Sequence, residues 1–255
     1  MIGIFRDLIN REINCWGMNK TSTVFCLKSA KIWTIRLFFH IMNMEVSMTK
    51  DEKIRIENFN RVSKELFEKG YEETKVGMGI VKANIIVLFI FAPIMYLIFK
   101  FYVKLYSIDD FINFLLDIKK FMFFIITSMV FIVIHELLHG ITWSLFTENG
   151  FKDVAFGFMW KYLTPYCSCK VPMKKGQYVL GLLMPLILLG IVPTILGLAM
   201  GSVFLTILGT FYIFAAGGDI IMAYLILSRD VKRKEVLLFD NPTEMGVSFF
   251  EKDLI

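Results

Sequence analysis

The chain has 255 residues, 56% of them hydrophobic, with 26 Phe, 15 Met and a formal net charge of +5; its mean hydropathy is +0.61. That composition excludes an ordinary soluble enzyme and indicates an integral membrane protein. No basic cluster interleaved with aromatics accompanies the charge, so its plainest use is to set membrane orientation, and nucleic acid is not expected as a partner.

Residues 1–48 form a weakly organised N-terminal stretch. The apolar run at 32–42 is too short to cross a bilayer and carries Lys31 and Arg36. No charged start, apolar core and small-residue cleavage site occur in order, so a cleaved signal peptide is not expected; an alternative start at Met42, Met44 or Met48 is a second reading of this stretch. Residues 49–75 hold a surface helix. Thr49 and Glu52 fit a capping box, Ile56, Phe59, Val62 and Leu66 follow helical spacing, and Gly70 is its stop.

Residues 76–227 contain four runs that meet the length of about 20 apolar residues needed to span: 83–103, 121–146, 178–200 and 202–227. Pro185 and Pro193 predict kinks in the third. Helix two should stop at Asn149-Gly150, and VAFGFMWKY and YCSCKVPM flank a Thr164-Pro165 turn signal that predicts a small β-hairpin in the middle loop. Residues 228–255 read as a C-terminal tail. The expected fold is thus an all-α integral membrane protein of four transmembrane helices, with that hairpin as an addition. With four spans, Lys75, Lys82, Lys152, Lys161, Lys170, Lys174, Lys175, Arg229, Lys232, Arg233 and Lys234 lie on one side, against Lys100, Lys104, Lys119 and Lys120 on the other. This asymmetry places both termini in the cytoplasm.

The chemistry-bearing motif lies in the second run: His135-Glu136-Leu137-Leu138-His139. On a helix, positions i and i+4 share a face, so both imidazoles can reach one metal ion. Zinc held in this way acidifies a bound water, and Glu136 beside it can take the proton and pass it to a leaving amine. Between Lys120 and Glu148 the only formal charge is Glu136, and an ionisable group at membrane depth marks a functional site.

A catalytic zinc usually has three protein ligands and a water. The third histidine, His40, lies in the N-terminal stretch, and between Lys175 and Arg229 the one charged residue is Asp219 in AAGGDIIMAY. Helices two and four run in the same direction, so His139 and Asp219, seven and eight residues from the ends of their runs, lie roughly 10–12 Å deep at 1.5 Å per residue. Gly140, Gly217 and Gly218 are expected to let these helices approach closely. The site is read as one Zn²⁺ on His135, His139 and Asp219, in the cytoplasmic half of the bilayer.

HELLHG in one span and GGD in a later one resemble the zincin peptidase family of bacterial membrane proteins, a group similar in plan to site-2 proteases. The resemblance covers roughly residues 76–227, including the Pro-Tyr-Cys-Ser-Cys-Lys-Val-Pro loop and the LMPLILLGIVP span. It implies His135, His139 and Asp219 as zinc ligands, Glu136 as base, and a bacterial plasma membrane location. The chain departs from the site-2 protease pattern in having Gly-Gly-Asp-Ile rather than Asp-Gly, and in lacking the asparagine that usually precedes a proline upstream of the aspartate.

Two other classes stand beside the peptidase. A metallopeptidase with glutamate as third ligand would draw on Glu235, Glu244 or Glu251, all outside the four runs. A non-catalytic metal-binding or scaffold membrane protein would keep the ligands without hydrolysis, but would have no need of a base beside the metal. Cys167 and Cys169 form a C-x-C pair without further thiolates or histidines nearby and read as reduced structural cysteines rather than a second zinc site. The expected activity is hydrolysis of membrane-associated or transmembrane peptides, with the bilayer itself as the surrounding partner.

Overall fold

Long apolar runs with few breakers become long helices, and their ends are set by local chemistry. The computed structural model describes residues 50–159, 164–231, 234–242 and 246–254, within one unit spanning Met48–Ile255. Thr49, His40, Cys15 and Cys26 lie outside the described residues. Helix α1, Lys50–Glu68, is followed by strand β1, Glu72–Gly77. Gly70 takes φ +84° between them, the left-handed cap that glycine adopts without a Cβ penalty. Helix α2 is Ile80–Leu105, the short α3 is Ile108–Leu116, and α4 is Ile118–Ser144. Ser107 caps α3 through Asp109 N, and Asp117 caps α4 by accepting from Lys119 N and Lys120 N.

After a 3₁₀ turn at Gly150–Asp153, strands β2, Val154–Met159, and β3, Thr164–Cys169, form the expected hairpin. Thr164-Pro165 is not its turn: both residues belong to β3, paired with Met159 and Phe158 of β2. Lys170 N donates to Asp153 O at 2.7 Å, so the hydrogen-bonded pairs alternate from Asp153–Lys170 through Ala155–Ser168 to Gly157–Tyr166. Pro165, which has no N–H, therefore sits at an outward-facing position where the ladder needs no donor. Helix two also ends earlier than Asn149-Gly150, at Ser144.

Strand β4, Met173–Lys174, leads into α5, Lys175–Pro185, then a π-helical stretch at Leu186–Ile191 and α6, Val192–Met200. The stretch lies between Pro185 and Pro193, where the expected kinks fall. Pro193 cannot bond back to Leu189 O, and Val192 N instead reaches Ile187 O. Thr194 Oγ1 donates to Gly190 O at 2.8 Å. Helices α7, Val203–Ala215, and α8, Gly217–Ser228, are bent by 46° at Ala216. Lys82–Leu105, Ile118–Ser144 and Lys175–Met200 are long and apolar enough to cross a membrane, and the α7–α8 pair makes a fourth if it is one broken span. Outward-facing apolar side chains such as Phe89, Met129 and Val133 give these helices the surface a lipid environment would cover.

The fold departs from all-α in its last segment. Residues read as a tail form β5, Lys234–Asp240, and β6, Gly246–Asp253, in an antiparallel sheet of order β1-β6-β5-β4. Alternation along the strands gives the sheet two apolar faces. Leu238, Val247 and Phe249 pack against Trp143, Tyr178, Leu182 and Ile226 of the helices, while Phe239 and Phe250 meet Phe59, Val62, Leu66 and Tyr71. Thus α1 is not a free surface helix: its apolar face is buried against the sheet. Arg55 donates to Pro242 O at 2.6 Å and lies 4.5 Å from the Tyr166 ring centroid, while Asn58 donates to Lys170 O at 2.8 Å, so α1 also ties the hairpin down.

Glu251 on β6 is buried between Arg229 Nε at 2.7 Å and Lys234 Nζ at 2.9 Å. Burial alone would raise its pKa, but these two cations outweigh it and hold the carboxyl below its ordinary value. A carboxylate with a depressed folded pKa contributes stability above its unfolded pKa, near 4.3, that is lost as pH falls through the folded value. Thermal unfolding from pH 7 to pH 3 should therefore show an acid-side loss of stability that is smaller in Glu251→Gln than in the wild type.

Candidate metal centre

Helix periodicity first brings His135 and His139 onto one face of α4, with ring centroids 4.9 Å apart. Asp219 arrives from α8. The break at buried Ala216 makes it a first-turn residue of a new helix rather than a mid-span one, and the helix N-terminus favours a carboxylate there. Its Oδ2 lies 3.1 Å from His135 Nε2 and 3.6 Å from His139 Nε2. One donor atom from each of the three residues falls within 4.8 Å of the other two. Ligands about 2.0–2.1 Å from one tetrahedral ion stand roughly 3.3 Å from each other, so these spacings fit a single zinc, and an N₂O donor set suits it.

The second nitrogen of His139 is also committed. Its Nδ1 lies 2.8 Å from Gly181 O. A carbonyl only accepts, so the ring proton is on Nδ1 and the Nε2 lone pair is left for a metal. On the other face of the ring, Trp143 stacks on His139 at 5.4 Å and Tyr178 stacks on Trp143 at 5.2 Å. Trp143 Nε1 donates to Tyr178 O at 3.2 Å. Gly181 leaves the indole its place, since a Cβ there would overlap the Trp143 ring. Beyond the stack, Tyr178 Oη donates to Asp240 Oδ1, and Cys169 N donates to Asp240 Oδ2 at 2.8 Å. Burial raises the Asp240 carboxyl pKa from its ordinary value despite both hydrogen bonds.

Glu136, partly buried beside the two histidines, faces the backbone amide of Cys167 on β3. The alternation established for the hairpin turns the Cys167 and Cys169 amides outward, one towards Glu136 and the other to Asp240. Burial, then the Glu136 carboxylate, pushes the Cys167 thiol well above its ordinary pKa; burial takes Cys169 up to about 12. Both therefore stay as thiols, which are poor ligands.

Sequence reasoning named His135, Glu136, His139 and Asp219, and the structure gathers all four. The glycines act differently from expectation. Gly140 seats Phe156 and Cys167 of the hairpin rather than helix four, Gly217 seats Val87 of α2, and Gly218 faces open space. Of the alternative third ligands, Glu235 lies on β5, Glu251 is taken by Arg229 and Lys234, and Glu244 is outside the described residues. Gly181, Tyr178, Asp240 and the Cys167 amide were missed. Trp143, one turn beyond His139, carried a signal in its i+4 spacing; Asp240 carried none, because its segment read as a tail.

A family model described as "Putative zincin peptidase" matches residues 128–232, a stretch that includes all four residues. No curated protein and no solved structure matches the chain. The match and the His-His-Asp grouping together support a zinc metallopeptidase.

Gly181→Ala should push the indole off the His139 ring. Overpacking of this kind costs typically 1–3 kcal/mol. A lowered melting temperature together with weaker zinc retention against a chelator is the expected result.

Proposed function

We propose that the protein is a membrane-embedded zinc metallopeptidase that hydrolyses peptide bonds of membrane-associated or transmembrane substrates. The observation that carries this reading is the convergence of His135, His139 and Asp219 donors within 4.8 Å, beside a glutamate on the same helix. His135, His139 and Asp219 would hold the metal. Zinc, when bound, supplies a Lewis acid that polarises a carbonyl and acidifies water. Glu136 takes a proton as general base and returns it to the leaving amine as general acid. Its partial burial among apolar helices lowers the local dielectric, which strengthens the charge interactions on which that transfer relies. A site enclosed by spans is suited to an extended, membrane-associated chain rather than to a folded soluble protein. We place the protein in a bacterial plasma membrane, as the resemblance to the zincin peptidases implies, with both termini cytoplasmic on the Lys and Arg asymmetry of the loops.

The hairpin supplies a way to present such a chain. Peptide hydrolysis needs an unwound backbone, and pairing with a strand edge provides it. The outward edge of β3 runs beside Glu136, so a substrate strand laid along it would pass the site; Pro165 has no N–H there and the Cys167 and Cys169 amides face Glu136 and Asp240, so pairing would rest on the outward carbonyls.

A non-catalytic metal protein remains the competing reading, and Glu136 separates the two. Metal analysis of the detergent-solubilised full chain should give about one zinc per chain in the wild type and in Glu136→Gln, with hydrolysis of unstructured peptides lost in Glu136→Gln only. Zinc should be lost in both His135→Ala and Asp219→Ala; loss in His135→Ala alone would put the third ligand elsewhere. Zinc present with no turnover in wild type or variant, across broad substrates, favours the scaffold. Cys167→Pro deletes an edge amide that also faces Glu136, so loss of cleavage with zinc retained is expected from either role, while undiminished activity would remove both from the mechanism.

A further inference from the structure

The buried carboxylate of Asp240 has no part in the proton transfer, yet it joins three of the elements that build the site. It comes from β5, beyond the residues 128–232 matched by the family model. Strand alternation turns it to the helix side of the sheet with Leu238. There it accepts from Tyr178 Oη on α5 and from Cys169 N on β3.

Each bond leads to a different part of the metal centre. Tyr178 stacks on Trp143, and Trp143 on His139, with interplanar angles of 24° and 18°. Cys169 lies two residues along β3 from Cys167, whose amide faces Glu136. One carboxylate thus ties the ring behind a metal-ligating imidazole and the strand beside the general base to the same rigid sheet. Neither oxygen is spare: one is used by Tyr178 and the other by Cys169.

We propose that Asp240 is a positioning residue for the metal centre, coupling the C-terminal sheet to His139 through Tyr178 and Trp143 and to Glu136 through β3. This rests on the metallopeptidase reading of His135, His139 and Asp219. Groups bonded directly to a metal-ligating histidine usually change metal affinity or activity by about 10–100-fold, and that range is the ceiling for a carboxylate acting through two stacked rings. An asparagine at 240 removes the charge and can accept only with its carbonyl: an NH₂ group turned to Cys169 N loses that arm, and one turned to Tyr178 Oη keeps the bond only with donor and acceptor exchanged.

The test uses the full chain in detergent and Co²⁺ alone as the probe, because its visible spectrum reports ligand geometry as well as occupancy. Wild type, Asp240→Asn, Tyr178→Phe and His135→Ala are titrated with Co²⁺. Asp240→Asn and Tyr178→Phe should bind more weakly than wild type, by up to about 10–100-fold, and give altered visible bands. Tyr178→Phe keeps the stacking ring and removes only the hydroxyl, so it decides the matter if Asp240→Asn fails to fold. Wild-type affinity and spectrum in folded Tyr178→Phe overturn the coupling to His139. If wild type takes up no Co²⁺, or His135→Ala binds as wild type does, the metal-site reading itself fails instead.

Discussion

Polar groups placed inside an apolar helical bundle must find partners within the protein, and that constraint organises this molecule. His135, His139 and Asp219 lie among helices whose outer surfaces are Phe, Met, Ile and Leu. An unsatisfied donor or acceptor there costs several kcal/mol. The three side chains meet this cost by converging on one another, with Asp219 Oδ2 between the two Nε2 atoms. His139 uses its remaining nitrogen on Gly181 O. The same arrangement leaves donors pointing at one volume, which is what a metal requires.

Irregular backbone falls in the third and fourth apolar segments, and in the fourth it bears directly on the site. The third apolar segment carries a π-helical stretch between its two prolines, and the fourth breaks at Ala216. Such interruptions are tolerated at membrane depth only when buried in protein, and Ala216 is fully buried. The break also gives Asp219 the positive end of a short helix. A continuous helix would have placed the carboxylate at a similar depth without that field.

The sheet and α1 act as the base on which the helices are mounted. Buried Leu238, Val247, Phe249 and Phe250 join the helical core on one side to the Phe59 cluster on the other. Through Arg55, Asn58 and Asp240 the same base reaches the hairpin and the stack behind His139. The hairpin is thus held beside Glu136 from two sides, by α4, where Phe156 and Cys167 seat on Gly140, and by α1 and the sheet outside the apolar segments.

The sequence by itself determined the long helices and the chemistry-bearing residues. Hydrophobic length is a local property, and HExxH places two imidazoles by the 3.6-residue period alone. Asp219 was found because a lone charge in an apolar run has few other uses. A Thr164-Pro165 turn signal between two segments predicts the hairpin; the hairpin is there, but Thr164 and Pro165 lie in β3 rather than in its turn. The tertiary structure alone decided the rest. Whether residues 228–255 form a tail or two strands depends on partners more than 150 residues away, since β6 pairs with β1. Gly140 and Gly217 could be recognised as sites of close approach, but only the packing names Phe156 and Val87 as what approaches. Tyr178, Gly181 and Asp240 support the site through contacts spanning three elements. No local period encodes such contacts, because they arise only when separate segments bury their polar groups against each other.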